Sequence, residues 1–129
     1  MASNVAIDTL FDQFGGEHKL RVFISDVVDE FMGDSNLPHQ QIFINLDLVN
    51  FHKEKMYHYL KFLFDGSKHY IGTPLEVVHK DMGITDELFD RAVGDIMKVL
   101  KKTKPKLQVM REVIKRINDI RPKVVIPIQ

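Results

Sequence analysis

Residues 18–32 read His-Lys-Leu-Arg-Val-Phe-Ile-Ser-Asp-Val-Val-Asp-Glu-Phe-Met. Leu20, Phe23, Ile24, Val27, Val28 and Phe31 recur there at steps of three and four, which gathers them into one stripe of an α-helix. Gly15-Gly16 in front supplies a sharp turn from a short first helix around Thr9–Phe14. Gly33-Asp34-Ser35-Asn36 and then Pro38 end the second helix.

The same period governs the chain on either side. A loop over about 34–47 carries Leu37, Ile42, Phe43, Ile44 and Leu46, which suits a loop that covers something apolar. Asp47 is placed to cap a helix over 48–64, ended by Asp65-Gly66-Ser67. Gly72-Thr73-Pro74 opens a short segment, Pro74–Lys80, with Thr73 as cap and Pro at the first helical position. Thr85 caps the next helix, Asp86 and Glu87 suit its first turn, and Ile84 and Phe89 form a hydrophobic staple. Its stripe runs Leu88, Phe89, Ala92, Val93, Ile96, Met97 and Leu100, with Lys98, Lys101, Lys102 and Lys104 at the C-terminal end. Pro105 separates a last helix bearing Leu107, Met110, Val113, Ile114, Ile117 and Ile120, which Pro122 stops before a tail, 123–129. Only Val124–Ile128 reads as extended. The predicted fold class is all-α: one domain over 1–129, with 1–8 as an N-terminal extension.

Composition narrows the function. At 129 residues, two domains would each be too small for a good core. A hydrophobic fraction of 44% is too high for a disordered chain. Lys and Arg (18) balance Asp and Glu (18) with no basic block, which argues against a nucleic-acid partner. The absence of Cys excludes disulfides, thiolate zinc sites, iron–sulfur clusters and cysteine nucleophiles. No uncharged apolar run approaches the ~18–20 residues of a membrane span. Met-Ala-Ser-Asn-Val lacks the basic and apolar regions of a signal peptide, so a soluble, cytoplasmic chain is expected. Gly-rich phosphate loops, GxSxG and HExxH are absent.

Six histidines remain: His18, His39, His52, His58, His69 and His79. His52 and His58, six apart, point to nearly opposite sides of one helix and cannot share a metal from it. His79 lies in a short helical segment with apolar neighbours, just before a well-capped helix. His52 starts a face continued by Lys55, Met56, Tyr59, Leu60 and Leu63. Two such elements could close on a flat apolar ligand with an imidazole on each side. The alternative for each histidine is a hydrogen-bonded packing residue, and for Met56, Tyr59 and Leu60 plain core.

Five stretches occur in order. They are Leu10-Phe11-Asp12-Gln13-Phe14-Gly15-Gly16; Asp34 and Leu37 leading to Ile42-Phe43; Phe64-Asp65-Gly66 followed by Tyr70-Ile71-Gly72; Val78-His79 through Gly83-Ile84-Thr85-Asp86-Glu87-Leu88-Phe89-Asp90; and Arg121-Pro122-Lys123-Val124-Val125. Together they resemble the truncated haemoglobins, group I, over about residues 9–125. The resemblance implies a shortened two-over-two helical sandwich around non-covalent haem b, with His79 as the proximal iron ligand. It implies Phe43 packing on the haem, with Phe64, Val78, Ile84 and Phe89 among the apolar residues around the slot. On the distal side it puts Val28 where most members carry a hydrogen-bonding tyrosine. His52 falls nearest the iron, Lys55 one turn on, Met56 at a position often glutamine, and Tyr59 deep in the pocket. His52, or Lys55 once deprotonated, is then a candidate sixth ligand, and Lys55 can alternatively reach a propionate.

The implied function is reversible binding of O₂, CO and NO by a monomer with no nucleic-acid or membrane partner. The role is oxygen binding and transport or, with a reductase, nitric oxide dioxygenase activity. The rival reading is a haem-free helical module for sensing or assembly, in which His79 only packs.

Overall fold

Thr9 starts the first helix from outside it, its hydroxyl accepting from the Asp12 amide at 3.1 Å. The structure, a computed structural model, describes residues 9–38 and 40–127. Helix α1 is Leu10–Phe14 and α2 is Gly16–Met32. Gly15 and Gly16 hold φ of 121° and 82°, a region open to glycine, so the turn takes two residues and α2 begins earlier than the apolar stripe. A 3₁₀ turn, Gln40–Phe43, precedes α3, Leu46–Asp65. Then come α4 (Leu75–His79), α5 (Asp86–Lys102), α6 (Leu107–Asp119) and α7 (Arg121–Val124). No strand occurs among the described residues.

The stripe of α2 is the centre of the core: Leu20, Phe23, Ile24, Val27 and Val28 are all buried. Phe14 meets the Phe23 ring edge-on at 5.1 Å and the Phe64 ring at 5.8 Å, which ties α1 to both α2 and α3. Helix α2 packs on α3 and α5, and α6 packs on α3 and α5. One pair, α2 with α3, therefore lies on a second, α5 with α6.

Several expected boundaries move. Asn45, not Asp47, caps α3, because its backbone is extended and its side chain accepts from the Leu48 amide at 2.9 Å. Thr73 does not cap α4; Pro74 precedes the helix and makes no side-chain cap. Pro122 does not end the helical chain, since in the first turn of α7 a missing N–H breaks no helical bond. The tail thus starts after Val124, which is buried in α7 rather than extended. Leu107 is exposed, and Val109 takes its place in the core. The extension 1–8, His39 and residues 128–129 lie outside the described residues.

Periodicity gave no hint of Asp95, a carboxyl buried on the inner face of α5. It lies in hydrogen-bond reach of Asp34, also buried, at the end of α2. Arg91 grips Asp34 through Nε at 2.7 Å and Nη2 at 3.0 Å and holds its carboxyl well below the usual carboxylate range. Asp95 has no comparable cation. Burial first, then the Asp34 carboxylate, pushes it up to about 6, and its Oδ2 has no hydrogen-bond partner. Stability that is full below the ordinary 3.8 is therefore withdrawn as pH rises through about 6. Asp95→Asn, which mimics the protonated acid, should stabilise the fold by about 1–3 kcal/mol at pH 8 and by much less at pH 4.5. Urea unfolding at the two pH values measures the difference.

Candidate functional site

Helix α4 has five residues, no side-chain cap and no buried residue of its own. Its last residue, His79, is half-buried, and its Nδ1 donates to the Leu75 carbonyl at 2.8 Å. A carbonyl can only accept, so the proton stands on Nδ1 and the lone pair on Nε2. That is the tautomer a metal-binding imidazole needs.

His52 is half-buried on α3, edge-on to the Phe43 ring at 5.7 Å and to Phe51 at 5.4 Å. Burial pushes its pKa below the ordinary 6.5, so the ring is neutral at pH 7. Met56 and Tyr59 continue this face at helical spacing. Tyr59 is buried, edge-on to Tyr70 at 5.0 Å and tilted against Phe62 at 5.6 Å. Lys55 is exposed, with Nζ 5.4 Å from the centre of the Phe51 ring. Val28 is fully buried in the core.

Helices α3 and α4 stand apart. Among the described residues, no Cα of α3 lies within 8 Å of one in α4 or α5. Exposed apolar residues are concentrated on these two helices and the segments just before them. Of the nine large hydrophobic residues exposed among the described ones, six are Ile44, Leu46, Phe51, Ile71, Val77 and Val78. Exposed apolar residues gathered on two elements that do not pack on each other suit a binding surface. Phe43 and Ile84 are half-buried, and Phe89 is buried beneath the Arg121 guanidinium. Phe64 goes elsewhere, fully buried against Phe14 in the core.

Of the other histidines, His18, His58 and His69 are described, and none belongs to a group of metal-ligating side chains. His58 points its Nε2 at Glu54, 3.0 Å away, and His18 and His69 are exposed. No group of three or more His, Asp or Glu among the described residues is arranged to hold a metal ion. A metal at His79 must therefore bring most of its own donors. Haem does so, and asks of a protein one axial base and a flat apolar slot. The residues present fit it.

The sequence matches the bacterial-like globin family over residues 9–125. The chain belongs to that family. Its fold is the shortened two-over-two globin fold. A mutant of the truncated hemoglobin from Tetrahymena pyriformis, in the Fe(III) form, aligns over 93% of this globin and 100% of its own chain, at 22% identity and TM-score 0.80. The 2/2 hemoglobin of Synechococcus sp. PCC 7002, in the cyanomet state with covalently attached heme, aligns over 92% and 98%, at 18% identity and TM-score 0.79. THB1 of Chlamydomonas reinhardtii aligns over 93% and 98%, at 20% identity and TM-score 0.75. No curated protein matches the sequence.

One wall of the globin's site had no role from periodicity. Tyr70, in the loop before α4, meets the Tyr59 ring edge-on and lies 5.4 Å from the Phe62 ring. Gly72 lets it fold back, because a Cβ at that position would run into the Tyr70 ring. The only signal was the glycine itself, two residues on. The environment of His52 is testable in the haem-free protein. Its Cε1–H should titrate below pH 6.5, and Phe43→Ala, which exposes the ring, should move that midpoint upward. An NMR pH titration reads both.

Proposed function

We propose that this globin binds haem b non-covalently between α3 and α4, with His79 Nε2 as the proximal ligand, and takes O₂, CO and NO on the His52 side. The observation that carries the reading is the 2.8 Å bond from His79 Nδ1 to the Leu75 carbonyl, which leaves the ligating lone pair on Nε2. The Fe(III) and heme-bearing states of the Tetrahymena and Synechococcus proteins support it by kinship of fold. The order of motifs from Gly15-Gly16 to Gly83-Ile84-Thr85 supports group I within the family.

When bound, haem would supply an iron able to take a diatomic ligand. The chain's residues do the rest. Phe43, Val78 and Ile84 offer apolar surface, Phe89 being covered by Arg121, and Lys55 offers a cation at the solvent edge. Val28 has no donor, so the N–H of neutral His52 is the donor assigned to a polarised ligand, ahead of the Tyr59 hydroxyl. Without ligand, the same imidazole is the better internal occupant of the sixth position. Lys55 would first have to lose a proton, from a reference pKa of ~10.4, and it stands in solvent over Phe51.

We assign oxygen binding as the role, in a cytoplasmic monomer; a reductase would turn the same site to nitric oxide conversion. No described helix is long and apolar enough to cross a membrane.

Titration of haem-free protein with haemin should end at one haem per chain, and the CO-bound ferrous form should have the spectrum of a histidine-ligated haem. A protein that takes no haem would return the chain to the sensing or assembly reading. Haem should leave the protein in acid solvent, which mass spectrometry checks against the covalent case. His52→Leu should release oxygen roughly 2- to 150-fold faster, the range of one lost hydrogen bond, and Val28→Ala should change it little. Stopped-flow oxygen dissociation decides between the two positions.

A further inference from the structure

The helix that bears His79 cannot hold itself in place. At five residues, uncapped and with nothing buried, α4 is far too short to persist alone. Among the described elements, the only helix whose backbone packs on it is α7. Helix α7 is itself only four residues long, and it also packs on α5 and α6.

One side chain fixes α7 to its neighbour. Arg121, the first residue of α7, donates from Nη1 to Asp86 Oδ1 at 2.9 Å and from Nη2 to Asp90 Oδ1 at 2.5 Å. Its guanidinium also lies 4.5 Å from the centre of the Phe89 ring. Asp86 and Asp90 form the opening turns of α5, directly after the connection that leaves His79. The chain thus closes a ring: His79, the loop to α5, Asp86 and Asp90, Arg121, α7, and back onto α4. Single exposed ion pairs contribute little, but here one planar fork meets two carboxylates and an aromatic face at once. Val124 is buried on the same helix as Arg121.

We propose that Arg121 is a positioning residue for His79: by clamping α7 to the start of α5, it holds α7 against α4 and so sets the pose of the proximal imidazole. The part that concerns iron rests on the haem reading above; the clamp itself does not. Amide exchange in the haem-free protein tests the clamp. Val78 and Met82 donate their amides to the Pro74 and His79 carbonyls and report on α4. In Arg121→Ala these amides should exchange about 5- to 30-fold faster, while Val99 and Leu100, deep in α5, stay within about twofold of the parent. Arg121→Lys, which keeps the charge and loses the fork, should fall between.

If Arg121→Ala loosens Val99 and Leu100 equally, the variant joining Asp86→Asn and Asp90→Asn is read instead. It removes both carboxylates and leaves Arg121 over Phe89, and faster exchange confined to Val78 and Met82 would support the clamp. Unchanged exchange at Val78 and Met82 in whichever variant keeps its core overturns it. The haem-loaded ferrous protein tests the pose. Its iron–histidine stretching band should shift or broaden in Arg121→Ala and recover partly in Arg121→Lys. An unmoved band beside faster exchange overturns the effect on His79. A parent protein with no such band overturns the haem reading and leaves the exchange result standing.

Discussion

Within the five residues of α4, the Nδ1 proton of His79 is donated to the Leu75 carbonyl, and this bond chooses which ring nitrogen can face a metal. It also couples the ring to the helix, since both partners are one turn apart on the same backbone. Anything that moves α4 moves the imidazole. The rest of the architecture can be read as what is needed to keep that short helix at a distance from α3 while neither touches the other's backbone. The pair α2 and α3 on one side and α5 and α6 on the other form a rigid frame. The bearer of His79 is attached to its rim through α7.

The frame and the site divide the polar groups between them. On the frame, Arg91 satisfies Asp34, while Asp95 is left with an orphaned oxygen in the interior of α5. A buried acid without a cation costs stability at neutral pH, and apolar residues would serve packing better there. At the proposed site the balance is reversed. Val28 brings nothing polar from α2, and His52 is the neutral donor that α3 presents beside Phe43. On the proposed reading, the distal hydrogen bond would come from α3 rather than from α2.

Much of this was legible in the residues because the signals were local. The α2 stripe from Leu20 to Val28 is buried as its spacing required, and Thr85 caps α5 through a bond three residues long. Where two residues could play one local part, the sequence was ambiguous. Asn45 and Asp47 are both good caps, and Pro122 can end one helix or begin another. The features that escaped depend on partners far along the chain. Arg91 reaches Asp34 across 57 positions, and Arg121 reaches Asp90 across 31. Periodicity within one helix carries no information about such pairs. For the site, spacing and neighbours picked out His79 and His52 from six histidines, and the family resemblance supplied what spacing could not, a proximal and a distal role for them. It also named Phe64, which the structure places against Phe14 in the core.

The central claim is that His79 holds the iron, and chemical rescue tests it most directly. In His79→Gly the side chain is gone while α4 keeps its place between the loop and α7. The account predicts that this variant, given haem, lacks the histidine-ligated ferrous–CO spectrum, and that free imidazole added to it restores the parent spectrum with saturation at one imidazole per haem. A His79→Gly protein that shows the parent spectrum with no imidazole added would contradict the account.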